Sequence, residues 1–129
     1  MTSTATQRGR EIFEQARQLH QAALERLAAG DIRDAAEKAW CAVKLATDAL
    51  ILVRTAVKPE QPSETATQLR WLSEADDDVR SRRMRGRYRY AQSSLHGDCF
   101  YDGDCDWDEH PQHIQSVEDY IDDAEILAF

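Results

Sequence analysis

The sequence predicts an all-α fold, a four-helix antiparallel bundle, on three observations. Apolar residues recur at spacings of three and four along most of the chain, no useful stretch alternates with the period of a strand, and the first two stripes meet at a very short Gly-Asp turn. With 129 residues and 42% apolar content the chain is sized for one domain with its own core, read here as residues 9–129 after a flexible stretch, 1–8.

Phe13, Ala16, Leu19, Ala23, Leu24 and Leu27 mark one face of a helix from about Gly9 to Ala29. Gly30 stands where a helix takes its left-handed terminator, and Asp31 follows as the N-cap of the next segment. The stripe from Ile32 through Ala35, Ala39, Val43, Ala46 and Leu50 to Val57 is the longest in the chain, so this helix is expected at the centre of the core, its alanines letting a neighbouring axis approach closely. Pro59 and Pro62 break the pattern, Ser63 is expected to cap a third helix, and Leu69, Leu72, Val79, Met84, Tyr88, Ala91 and Leu95 carry that helix onward with a kink or short break near Gly86. Residues 97–109 hold five Asp and two Gly without a helical stripe and read as a loop. Pro111 then opens a fourth helix at its first position, with Ile114, Val117, Ile121, Ala124 and Leu127 facing inward.

The formal charge of −8 conceals a dipolar chain: residues 1–95 hold all 16 Lys and Arg with 13 acids, and residues 96–129 hold 11 acids and no base. Overall acidity argues against gripping duplex nucleic acid by bulk charge, although a local basic stretch can still hold phosphates. Three cysteines leave one unpaired and make no disulfide framework, so a reducing compartment is expected. The longest apolar run, Ala49 to Val53, is far short of the roughly 20 residues of a membrane span, and a cytoplasmic protein without membrane contact or cofactor is the expectation.

The most unusual stretch places Arg80, Arg82, Arg83, Arg85, Arg87 and Arg89 within ten residues, interleaved with Met84, Tyr88 and Tyr90. Two readings stand side by side. Guanidiniums make forked hydrogen bonds to phosphate and tyrosines stack on unpaired bases, so Arg83, Arg85, Arg87, Tyr88 and Tyr90 are candidate RNA contacts. Alternatively, Asp76, Asp77, Asp78 and the acidic tail balance the arginines internally. His96 follows Arg89 by seven residues, and at about 100° per residue the two share one face of a continuous helix. An imidazole that moves protons near neutrality beside a fixed guanidinium suits phosphodiester cleavage without a metal.

The segment Ala22–Ala49 and the Leu-His-x-x-x-Phe-Tyr pattern at Leu95, His96, Phe100 and Tyr101 resemble the small stand-alone HEPN proteins of prokaryotes. The resemblance implies an HEPN-like homodimer of four-helix units in which Arg89 and His96 line a shared cleft. It also implies RNA as substrate, a metal-independent endoribonuclease of toxin or defence type, and, for noncatalytic members, nucleotide binding or association with a nucleotidyltransferase; an antitoxin partner would accompany a toxin. Tyr90 departs from the small polar residue usual after the family's Arg.

Cys99, Cys105, His110 and His113 are donors that zinc accepts, though their intervals of five, four and two residues fit no standard zinc pattern. Asp102, Asp104 and Asp106 alternate like a calcium loop, but Trp107 and His113 stand where that loop needs Gly and Glu. Trp107 and Phe129 read as contacts for a partner chain, Trp40 and Trp71 as core or interface residues.

Overall fold

In the computed structural model, which describes residues 3–129, six α-helices and one π-helical segment form the fold. Helix α1 spans Thr4–Ala28, α2 Ile32–Thr55, α3 Pro62–Ala75, α4 Asp77–Ser81, α5 Met84–Ala91 and α6 His110–Ala128; the π segment covers Gln92–Tyr101. Among the described residues there is no strand.

The all-α class stands, with more helices than the four expected. Helix α1 begins at Thr4 rather than near Gly9, because the Ser3 hydroxyl accepts from the Thr6 amide and caps it. Part of the expected flexible stretch is therefore helical, and Met1 and Thr2 lie outside the described residues. The turn between α1 and α2 forms as read. Gly30 adopts φ +88°, the Asp31 amide returns to the Arg26 carbonyl, and the Asp31 carboxylate accepts from Asp34 N at 3.1 Å.

The expected third helix is divided at two places, Asp76 and Arg83, the second of them three residues from Gly86, near which a break is expected. Asp76 is extended because its carboxylate turns to cap α4, accepting from Asp78 N at 2.8 Å. Arg83, at φ +60°, makes the left-handed turn into α5, and Gly86 lies inside that helix. Gln61 rather than Ser63 is the N-cap of α3, with Pro62 in its first turn. Helix α6 starts at His110, one residue before Pro111. The expected loop 97–109 shrinks because the π segment runs on to Tyr101.

Helix α2 is the core, packed against α1, α3, α5, the π segment and α6. Its alanines Ala35, Ala36, Ala39, Ala42, Ala46 and Ala49 are fully buried, which brings neighbouring backbones close. Gly9 of α1 lies against Val53, where an added Cβ would meet Cγ2. Buried polar bonds tie the layers. His20 Nε2 donates to the Ile114 carbonyl at 2.8 Å, Thr47 meets the Tyr120 hydroxyl at 2.6 Å, and buried Asp48 accepts from Lys44 and Thr65, each at 2.7 Å. Trp40 belongs to the core, whereas Trp71 and Trp107 are exposed. Phe129 closes over α1, edge-on to Phe13 and beneath the Arg10 guanidinium.

Candidate functional site

The structure divides the arginine stretch in half. Arg82 and Arg87 both reach Asp123 of α6, at 2.6 and 2.7 Å, and Arg80 pairs with Asp77. Internal balance by the acidic residues accounts for these three. Arg83, Arg85 and Arg89 are exposed and have no carboxylate partner among the described residues. Tyr88 is fully buried against Trp40, with ring centroids 5.2 Å apart, so its ring is closed to a base. Tyr90 remains half-exposed, stacked on His113 at 4.8 Å with its hydroxyl donating to Glu109. Of the expected RNA contacts, Arg87 is thus occupied and Tyr88 is core; Arg83, Arg85 and Tyr90 face solvent.

His96 lies in the π segment, and this changes its relation to Arg89. The i→i+5 bonds of that segment, such as Asp102 N to Gly97 O at 2.9 Å, widen the turn after Ala91, so the 100° phase that put Arg89 and His96 on one face stops there. His96 instead turns toward α2. Its Nδ1 is 2.8 Å from Glu37 Oε2, and its ring is flanked by Trp40 and Phe100, both at 6.1 Å. A carboxylate only accepts, so in the neutral ring this contact assigns the proton to Nδ1 and leaves the Nε2 lone pair unclaimed on a side chain 40% exposed. Glu37 is thus the residue that orients His96. A turn away on α2, burial and the Glu37 charge push the Cys41 thiol above its ordinary value, which keeps it protonated and a poor nucleophile.

The π segment is pinned at both ends. Leu95 is fully buried, and the Arg33 guanidinium at the start of α2 donates to the carbonyls of Phe100 and Tyr101 at 2.6 and 3.1 Å. Gly103, at φ +71°, folds against that guanidinium. Tyr101 itself is among the most exposed large side chains.

Cys99 and Cys105 form a disulfide, which withdraws both from any zinc set and leaves Cys41 as the free thiol among the described residues. His110 is buried and occupied, its Nδ1 accepting from Asp106 N at 2.8 Å and its Nε2 meeting Ser94 Oγ at 3.1 Å. His113 stacks on Tyr90, and burial together with His110 holds it below the usual imidazole range. Among the described residues no three His, Cys, Asp or Glu side chains are grouped to hold a metal ion.

These features define a small all-helical protein in which an arginine-rich helix runs into a π-helical turn holding a histidine against a carboxylate. A model of the archaeal PaREP1/PaREP8 family matches residues 11–121, and the chain belongs to that family. No curated protein and no solved structure matches it. The HEPN resemblance is thereby corrected, since the matching family is PaREP1/PaREP8 and no HEPN family model matches. Its physical basis was thin: alanine-rich amphipathic helices joined by Gly-Asp turns are common to many helical proteins, and a seven-residue pattern does not specify a family. No helix is long and apolar enough to cross a membrane among the described residues.

Proposed function

We propose that the protein binds single-stranded RNA through Arg83, Arg85 and Arg89 and cleaves it without a metal, His96 serving as the proton-transfer group. The observation that carries this reading is the 2.8 Å contact of His96 with Glu37, which leaves Nε2 free to act. A base oriented by a third group is the arrangement that general acid–base and nucleophilic chemistry reuses across folds. In the proposed step Nε2 takes the proton of a ribose 2′-hydroxyl and the 2′-oxygen bonds to phosphorus. The bond from phosphorus to the 5′-oxygen breaks, and the departing oxygen is protonated by the imidazolium or by water, leaving a 2′,3′-cyclic phosphate. Arg89, no longer in phase with His96, is assigned to holding the RNA backbone rather than the scissile phosphate.

Assembly as a homodimer belongs to the same reading, because Tyr101 and Trp107 are exposed beside the π segment, where a second copy would cover them. The test is cleavage of a single-stranded RNA by purified protein in EDTA, compared with His96→Ala and Glu37→Gln.

A second reading, binding of a nucleotide or a protein partner without chemistry, is favoured by one specific observation. A groove of about 480 Å³ opens at Arg70, Met84 and Arg85, and neither Arg89 nor His96 lines it. RNA that is bound but never cut, with affinity unchanged in His96→Ala, would support it.

A further inference from the structure

That groove lies between α3 and the turn from α4 into α5, and its volume falls in the range of about 300–1,000 Å³ typical of small-molecule sites. Arg70, Arg80, Arg83 and Arg85 surround it, and the acids at hand are Glu74 on its wall and Asp77, already paired with Arg80. Four guanidiniums less two carboxylates leave an excess of two positive charges. Arg80 also donates to the Ser73 carbonyl at 3.1 Å, fixing the wall.

Three further observations point to a ligand. Ser73 lines the groove at 8% exposure, and its hydroxyl is buried with no hydrogen-bond partner. A buried hydroxyl left unmet is destabilising, and a small shift of the wall would let a phosphate oxygen reach it. Arg83 holds a left-handed backbone, a strain for a non-glycine residue of the kind that concentrates at functional sites. Beside the arginines, fully buried Met84 backs the wall, and Gly86 leaves open space, with nothing within 4 Å of where a side chain would begin.

We propose that this groove binds a nucleoside di- or triphosphate. Arg70, Arg83, Arg85 and the Ser73 hydroxyl hold the phosphates, and the base lies in the open space beside Gly86. The proposal deepens the binding reading by naming a site and a ligand class, and it is separate from cleavage at His96.

The test is calorimetric titration of the full chain with ADP, ATP and inorganic pyrophosphate, beside thermal melts. ADP and ATP are expected to bind about tenfold or more tightly than pyrophosphate, and Arg70→Ala and Arg85→Ala each to weaken them by about tenfold or more, as lost charge-assisted bonds to phosphate require. Gly86→Phe fills open space, so it should remove binding while leaving the circular dichroism spectrum unchanged. Ser73→Ala should weaken binding without lowering the melting temperature, a split that a purely structural serine would not give. Arg70 and Gly86 take no part in the RNA reading, so RNA cleavage by their variants reports on that reading alone. The proposal is overturned if ADP and ATP fail to bind at millimolar concentration, if pyrophosphate binds as tightly as they do, or if the folded Gly86→Phe protein binds like the parent.

Discussion

His96 Nδ1 lies 2.8 Å from Glu37 Oε2, joining the π segment to α2 across 59 residues of sequence. The bond fixes the imidazole tautomer, and the carboxylate would stabilise the imidazolium formed when Nε2 takes a proton. Glu37→Gln keeps a hydrogen-bonding group and removes the charge. In the cleavage reading this variant loses roughly tenfold to a hundredfold in rate while RNA affinity holds. A rate identical to the parent's would detach Glu37 from the chemistry.

Asp48 is 1% exposed and accepts from both Lys44 and Thr65, linking α2 to α3. Asp48→Ala would leave the half-buried Lys44 ammonium without its partner and the buried Thr65 hydroxyl short of one, a loss of about 3 kcal/mol in urea unfolding. Thr65→Val, which removes one neutral donor, should cost about 1 kcal/mol. Equal effects of the two changes would contradict the charged character of this link.

Burial, with the Asp48 charge nearby, pushes the Tyr88 phenol up to about 12, and burial raises Tyr120 further. Above about pH 10 the unfolded chain therefore loses these protons before the folded one does. The contribution of Tyr88 to stability is complete below pH 10 and falls as the pH rises toward 12. Spectrophotometric titration should find both phenols protonated until the helical signal collapses; ionisation of all four tyrosines in the native protein near pH 10 would refute their burial.

Gly9→Ala puts a methyl group 2.3 Å from Val53 Cγ2, a clash that a β-branched side chain relieves poorly. The expected destabilisation is about 1 kcal/mol, the clash outweighing the better helix propensity of alanine. In a Val53→Ala background the same change should turn stabilising. Simple additivity across this double-mutant cycle would show that the two helices do not meet there.

How far the sequence revealed this molecule depends on the range of the interaction. The α1–α2 turn was legible because Gly30 and Asp31 act on their own neighbours. The break at Asp76 was missed because each of three successive aspartates could cap a helix, and only the folded chain shows that Asp76 does so. The break at Arg83 is signalled only loosely, by Gly86 and the arginines around it, and the π segment runs against local preference, so the 3.6-residue stripe carries through it. Arg83, Arg85, Arg89 and His96 were legible as residue types. Glu37 was not, since nothing local ties it to His96, and Ser73 becomes notable only once its burial is known. Cysteine count alone does not report that the turn at Tyr101 brings Cys99 and Cys105 together, their Cα atoms 4.3 Å apart.

Single-turnover cleavage of one RNA in EDTA decides whether His96 performs metal-independent chemistry on RNA. Expected are cleavage by the parent protein, a 2′,3′-cyclic phosphate product, a loss of about a hundredfold or more in His96→Ala with its fold intact, and no cleavage when the scissile nucleotide carries a 2′-deoxyribose. Undiminished cleavage by His96→Ala, or cleavage of the 2′-deoxy substrate, would contradict that chemistry.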